Sequence, residues 1–307
     1  MVLFTSDRPL ERAENIRTVY EAFDASKRFV RTSSWRQKIS DAKYTVRVSD
    51  EFIGYSQCKT VMIGHAISGG KFYGLDQRRP YYGRRHAGFL HYVVTSSEAM
   101  RGLVAHQSGI PIDRVLALGT PRTDAYFGVK KGDGGTFLKE KRAYLYAPTF
   151  RNVGEVPFPE INWPLIDGLL TDGEVLVVKP HMNMGRILKE EYSHIVEVSS
   201  SVPSTPYLID CDVLITDYSS IMLDAHILGR PVVLFEKKRG YVEDRGMYLD
   251  YPGGYASRYC TNEADLVEIS RGANGQNEAD ILCRDLTAGA CDGHSTERVV
   301  KLIRDIE

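Results

Sequence analysis

The stretch YLIDCDVLITDYSSIMLDAHILGRPVVLFE, residues 207–236, decides how this chain is read. Val213, Leu214 and Ile215 form a short apolar run, the kind that makes a strand buried on both faces of a parallel sheet. Asp217, Tyr218, Ser219 and Ser220 follow where that strand must end. Ile221, Met222, Ala225 and Leu228 then recur at helical spacing, and Gly229 stops the helix. After Pro231 a second apolar run covers residues 232–235. Strand, turn, helix, strand is an α/β unit, and it sets both serines at a helix N-terminus. Unpaired backbone N–H groups and the positive end of the helix dipole favour an anion there, typically a phosphate. Plain capping by one serine is the alternative. It leaves the other serine, and the flanking Asp217 and Asp224, without a role.

The same alternation extends both ways. Upstream, residues 44–48, 60–64, 92–95 and 115–118 read as strands, with a helix over 97–107 and another over 9–29 that aligns Ile16, Val19, Tyr20 and Phe23. GVKKGDGG, residues 128–135, is polar, glycine-rich and without period, and reads as a linker. Beyond it, strands are expected at 143–147 and 175–179 around a helix at 161–170. Helices at 263–270, 278–286 and 296–306 close the chain. Strands alternating with helices predict a parallel sheet. Two such runs predict two Rossmann-like α/β domains facing a cleft, residues 1–130 and 136–307.

Length and composition agree with two ordinary domains. A chain of 307 residues, near-neutral at −1, gives no electrostatic footprint for nucleic acid. No basic segment followed by an apolar one opens the sequence, and no run of about eighteen apolar residues could span a bilayer. Cys58, Cys211, Cys260, Cys283 and Cys291 lack paired metal spacing and suggest reduced thiols in a cytoplasm. Cys211 reads as a small core residue.

Ligands in open α/β sheets sit outside the carboxyl ends of the strands, so residues that follow strands carry the chemistry. His65 follows one in GHAISGGKFYG, where Gly69 and Gly70 let backbone approach a ligand and Lys71 adds a cation. Such a histidine suits a general base, or simply a hydrogen bond within its turn. His181 ends another strand in VLVVKPHMN, two residues after Lys179. His86, His91, His106, His194, His226 and His294 have no such company and read as surface or core residues. Lys27, Arg28, Arg31, Arg36, Lys38, Lys43 and Arg47 around Trp35, and Arg78, Arg79, Arg84 and Arg85 among Tyr73, Tyr81 and Tyr82, read singly as solvated charges. Together they could attract an anionic polymer or membrane surface.

TDYSS with Asp224, RPVVLF and RGMYLDY resembles the C-terminal signature of the CDP-glycerol glycerophosphotransferase family, which builds or primes teichoic-acid-like poly(glycerol phosphate). GTPRTD (residues 119–124), YAPTFR (residues 146–151) and Asn15 in AENIRTVYEAF match further family segments in order. The His65 motif departs from the family's Trp-His-Gly-Thr-Pro-x-Lys: Gly64 replaces the Trp, Ala66 the Gly, and one residue is added before Lys71. The resemblance implies a GT-B fold and a CDP-glycerol or related CDP-alditol donor. It implies His65 as base and His181 on the donor pyrophosphate. Thr149, Arg151, Lys179, Asp217, Ser219, Ser220 and Asp224 would contact the donor, and Lys71 and Arg122 a phosphate or the acceptor. Arg122 could equally pair with Asp124. The acceptor would be an anionic polymer or lipid-linked chain at the inner face of the cell membrane. No cofactor is expected and Mg²⁺ is not indicated. Another GT-B enzyme, such as a nucleotide-sugar glycosyltransferase or an epimerase, and an inactive polymer-binding relative stand as alternatives.

Overall fold

The computed structural model describes residues 1–33, 39–51, 55–64, 67, 69, 89–108, 110–150, 158–237 and 246–307. They form two compact units. The first is Met1–Phe127 with Asp285–Glu307, and the second is Gly128–Arg284.

The first unit holds six parallel strands: β1 (Val2–Ser6), β2 (Lys27–Arg31), β3 (Val46–Ser49), β4 (Lys59–Met62), β5 (Tyr92–Thr95) and β6 (Val115–Ala117). Their order is β2-β1-β3-β4-β5-β6. Val2 pairs with Lys27 on one side and Val46 on the other, so β1 is an interior strand, and all five of its residues are buried. The helix expected over 9–29 is shorter. A 3-10 turn at Leu10–Arg12 leads into α1 (Glu14–Ala22), and β2 then pairs with β1. The Lys27 ammonium donates to the Tyr20 and Phe23 carbonyls, closing the helix end and marking the change of direction. Helix α2 (Glu98–Ser108) lies between β5 and β6 in the chain.

The second unit has β7 (Arg142–Tyr146), β8 (Glu174–Val178), β9 (Ile195–Glu197), β10 (Val213–Thr216), β11 (Val232–Phe235) and β12 (Arg258–Cys260), all parallel in the order β12-β11-β10-β7-β8-β9. Its helices among the described residues are α3 (Trp163–Leu169), α4 (Thr205–Asp210), α5 (Ile221–Ile227) and α6 (Glu263–Gly272), and α7 (Glu278–Ala288) carries the boundary between units. Gly229 ends α5 at φ +71°, as its sequence position predicts. Two Rossmann-like parallel α/β units are the components of the GT-B fold class.

The domain bounds differ from the expected 136–307 for the second unit. Helix α8 (Ser295–Ile306) belongs to the first, because Val299, Val300 and Ile303 bury against Ile16, Val19 and Phe23. Asp124 fixes its start by accepting the Ser295 and Thr296 N–H groups at 3.0 and 2.7 Å. Gly119, at φ +89°, lies so close to this helix that a Cβ would come 2.2 Å from Ser295 Oγ, which is why the turn opens on glycine. The glycine-rich stretch at 128–135 is no free linker. Asp210 accepts from Gly132 N, Gly134 N, Thr136 N and Thr136 Oγ1 at 2.7–2.9 Å, binding it to the second unit. Burial opposes ionisation of Asp210, but these donors outweigh it and hold its carboxyl below the usual range. All five cysteines are free thiols, and Cys211 is fully buried. Among the described residues no helix is long and apolar enough to cross a membrane.

Candidate functional site

Sheet order decides where a ligand can enter. In the second unit β7 is flanked by β8 and by β10, so successive connections leave it in opposite directions. Ligands of open α/β sheets occupy the crevice outside the carboxyl ends at such a switch point. Three of the motifs end on these adjacent strands. Thr149 follows β7, His181 follows β8, and Asp217–Ser220 follow β10.

Hydrogen bonds and ring contacts lock the three turns together. Asp217 Oδ1 accepts the Thr149 N–H at 2.8 Å and the Tyr218 N–H at 2.7 Å, joining the turns after β7 and β10. Thr149 and Asp217 are both buried. A carboxylate repels phosphate, so Asp217 serves here as an anchor for backbone. The His181 ring stacks on Phe150, with centroids 4.4 Å apart and 27° between planes, joining the turns after β7 and β8. Its Nδ1 accepts the Asn183 N–H at 3.2 Å. That bond requires Nδ1 to be unprotonated, so the neutral ring carries its proton on Nε2.

Ser219 and Ser220 are half-buried, and neither hydroxyl makes a hydrogen bond among the described residues. Plain capping fails for a local reason. Ser220 stands at the N-cap with φ −63° and ψ −10°, already helical, whereas a capping side chain needs extended backbone to reach back to the first turn. Asp224 is buried one turn into α5. Lys179 is buried too, and its ammonium donates to the Pro180 carbonyl at 2.8 Å and the Ser200 carbonyl at 3.4 Å. Burial pulls its pKa down. Arg151 lies outside the described residues.

Glu236 is a member of this region that sequence reasoning missed. It follows β11, is buried, and accepts from the Tyr218 and Tyr259 hydroxyls, the latter at 2.7 Å. Tyr251 packs against Tyr218 with ring centroids 4.9 Å apart and the planes tilted by 42°. The Asp217–Ser220 turn is thus held from behind by a buried carboxylate and packed phenol rings. A glutamate directly after the RPVVLF run was the available signal. A separate cavity of about 570 Å³ opens beside the turn from β8 to β9, lined by residues including Arg186, Tyr192, Glu197 and Ser199. None of the expected site residues among those described lines it.

In the first unit His65 and Lys71 lie outside the described residues, while Gly64, which directly precedes His65, is described. Arg122 donates from Nη1 to Tyr126 Oη at 2.8 Å and has Nε 3.9 Å from Glu14. The alternative pairing with Asp124 does not form, because Asp124 caps α8. Arg47 is no solvated charge. It is buried against Asp41 at 3.7 Å and donates to Thr5 Oγ1 at 3.2 Å and the Tyr55 carbonyl at 3.1 Å. Arg36, Lys38, Arg78, Arg79, Arg84 and Arg85, with Trp35, Tyr73, Tyr81 and Tyr82, lie outside the described residues. His226 is a core residue, its Nε2 bonded to the Tyr255 carbonyl at 2.8 Å.

The first unit has its own switch point, with β1 between β2 and β3, and it carries carboxylates not singled out in the sequence. Asp50, directly after β3, is buried and accepts from Ser6 Oγ at 3.1 Å. Burial pushes its carboxyl up to about 6 against that hydrogen bond. Glu51 is pushed up to about 7 by burial and then by Asp7 and Asp50.

The model of one protein family, described as CDP-glycerol:poly(glycerophosphate) glycerophosphotransferase, matches residues 10–305. A teichoic acid poly(ribitol-phosphate) polymerase of Bacillus spizizenii is 30% identical over 264 residues, covering 79% of this chain and 42% of the relative. A teichoic acid glycerol-phosphate primase of Bacillus subtilis is 27% identical over 265 residues, 81% of this chain and 69% of the relative. This chain therefore spans under half of one curated relative's length and about two thirds of the other's. The structure of the wall teichoic acid polymerase TagF superposes with a TM-score of 0.75 at 18% identity, over 100% of this chain and 89% of that one. A UDP-GlcNAc 2-epimerase from Neisseria meningitidis superposes with a TM-score of 0.60 at 12% identity, over 99% of this chain and 100% of that one.

Proposed function

The chain belongs to the CDP-glycerol:poly(glycerophosphate) glycerophosphotransferase family, and from that premise we propose that it moves glycerol phosphate from CDP-glycerol to an acceptor hydroxyl and releases CMP. The observation that carries the reading is the convergence of Thr149, His181 and the Ser219–Ser220 pair on the adjacent strands β7, β8 and β10. The second unit thereby gathers hydroxyls, an imidazole and a helix start where a diphosphate can be held. His65 in the first unit is the general base. It takes the proton of the acceptor hydroxyl as that oxygen forms its bond to the β-phosphorus. The bond from the β-phosphorus to the bridging oxygen breaks, and CMP leaves with the electron pair. Charge on the departing phosphate is met by His181, by the Ser219 and Ser220 hydroxyls and by Arg151. Lys71 and Arg122 serve the acceptor side. Phosphoryl transfer needs positioning and charge stabilisation above all, and these groups supply both.

The acceptor is a teichoic-acid-type anionic polymer or its lipid-linked primer, and the enzyme works in the cytoplasm at the inner membrane face. No metal is required in this reading. A ribitol donor is the second reading, because the relative at 30% identity is named a poly(ribitol-phosphate) polymerase.

Release of CMP tests the proposal directly. The chain is incubated with CDP-glycerol, CDP-ribitol or UDP-N-acetylglucosamine and a lipid-linked acceptor, with and without EDTA. Acceptor-dependent CMP from CDP-glycerol, unaffected by EDTA and lost in His65→Ala while CDP still binds, is the expected result. Turnover of the UDP-sugar alone moves the chain to the epimerase or glycosyltransferase class. Binding of polymer without turnover of any donor makes it a binding protein.

A further inference from the structure

We propose that Asn15 is a positioning residue for the transfer reaction, its one carboxamide holding both the turn that leads into His65 and the turn that carries Arg122. The inference rests on the reading of His65 as the base. Asn15 sits in the first turn of α1 yet is only 1% exposed. Its Nδ2 donates to the Gly64 carbonyl at 3.0 Å, and its Oδ1 accepts the Arg122 N–H at 2.9 Å. These partners lie 49 and 107 residues away in sequence. Gly64 directly precedes His65. Arg122 bears the guanidinium that faces Tyr126 and Glu14.

The amide orientation is forced, since a backbone N–H can only donate and a carbonyl can only accept. Few side chains could replace it. An ionised aspartate has no donor for Gly64, and a serine hydroxyl has a shorter reach. Gly64 has φ +62°, a conformation that L side chains rarely adopt, and its carbonyl is held by the bond from Asn15. The apolar cohesion of α1 comes from Ile16 and Val19, which pack on β1, β3 and α8. The Asn15 carboxamide joins two turns. A base displaced by about 1 Å costs about 100-fold in rate, so a bond on the residue before His65 has leverage on turnover.

Asn15→Asp separates positioning from simple stability, because its protonation state can be switched. The ionised form keeps an acceptor for Arg122 N–H but sets a charged oxygen against the Gly64 carbonyl. The protonated form restores a donor in the same place, and burial raises the pKa at which this happens. We would measure kcat for the variant and the parent from about pH 8 to about pH 5.5, with donor KM and CDP affinity alongside. The expected result is a kcat deficit of about 10-fold to 100-fold at the upper end, with donor KM and CDP affinity unchanged. The ratio of variant to parent rises as the pH falls. A ratio that stays flat with pH overturns the proposal, as does a loss of CDP affinity equal to the loss of kcat.

If the parent releases no CMP, the functional reading has failed, and the positioning role is read from imidazole NMR. The His65 signal, assigned through His65→Gln, should shift in Asn15→Asp while that of His226 in the second unit stays in place. An unmoved His65 signal overturns the inference whatever the activity. Should Asn15→Asp fail to fold, Asn15→Ser is read by the same signal.

Discussion

The switch points of the two sheets place an aspartate at equivalent positions and treat it oppositely. In each unit the first strand has neighbours on both sides, and the aspartate follows the strand across the switch: Asp50 after β3, Asp217 after β10. Both are buried. Asp217 gives one oxygen to two backbone N–H groups, which ties two turns into a fixed frame. Asp50 takes one serine hydroxyl on Oδ2, and its buried Oδ1 has no hydrogen-bond partner among the described residues. A buried carboxylate short of donors holds its proton toward neutral pH, and Asp50 does so. Topology alone therefore sets where a ligand enters. Donors supplied by neighbouring turns decide whether the carboxylate there ties two turns together, as Asp217 does, or keeps its proton toward neutral pH, as Asp50 does.

The largest effect expected from this contrast is on stability. Asp217→Ala leaves the Thr149 and Tyr218 N–H groups buried without that acceptor, at about 1–3 kcal/mol each. A loss of about 2–6 kcal/mol in urea unfolding is expected, with CDP binding lost as well. Asp50→Ala releases only the Ser6 hydroxyl and should cost much less. Equal losses for the two variants would break the comparison.

Residues 207–236 were legible because strand, helix and strand there are all short, strongly patterned and punctuated by glycine or proline. The structure places them at Val213–Thr216, Ile221–Ile227 and Val232–Phe235. Strand β1 was missed since VLFTS is brief and unframed by turn signals. Strand β2, an edge strand, hid behind the charges of KRFVR. Docking of α8 onto the first unit depends on Val299 and Ile303 finding Ile16 and Val19, and no local pattern encodes that choice. The same holds for Glu236, whose partners Tyr218 and Tyr259 lie 18 and 23 residues away. Asn15 could be noticed by its motif but not by its bonds. The serine turn follows β10 at the start of α5 where the pattern sets it, and the cap bond does not form there because capping depends on a backbone angle.

An intermediate effect should follow pH. Burial lifts the folded pKa of Asp50 to about 6, above the ordinary 3.8 of an aspartate. Its favourable contribution is therefore complete below about pH 4 and disappears as pH rises through about 6. Asp50→Asn mimics the protonated acid at every pH. It should stabilise the protein by about 2–3 kcal/mol at about pH 7.5, since each pKa unit is worth about 1.36 kcal/mol, and by almost nothing at about pH 4. Glu51, pushed up to about 7, changes with the same sign, so Glu51→Gln serves as the common background for both proteins. Urea midpoints at the two pH values read the result. A gain that is the same at both would show that the shortage of donors at Asp50 carries no proton linkage.

The smallest stability effect is expected where the sequence suggested a cap. Ser220 makes no cap hydrogen bond, so replacing Ser219 and Ser220 together by alanine should change stability by less than about 0.5 kcal/mol, the range of ordinary surface substitutions. A lost cap would cost about 1 kcal/mol. The backbone N–H groups at the start of α5 remain in the double variant, so only the hydroxyls are tested. Bonds from those hydroxyls to a charged phosphate are worth about 1.5–3 kcal/mol each, which predicts a fall in CDP affinity of at least about tenfold. Titrating CDP and CMP by calorimetry gives the sharper reading. CDP should bind the parent more tightly than CMP, and the serine substitutions should narrow that gap by weakening CDP alone. If the gap is unchanged while stability falls by about 1 kcal/mol, the serines are caps after all, and the second switch point holds its anion elsewhere. A narrowed gap with unchanged stability puts the β-phosphate against Ser219 and Ser220, in the frame that Asp217 holds and Asp50 has no counterpart to.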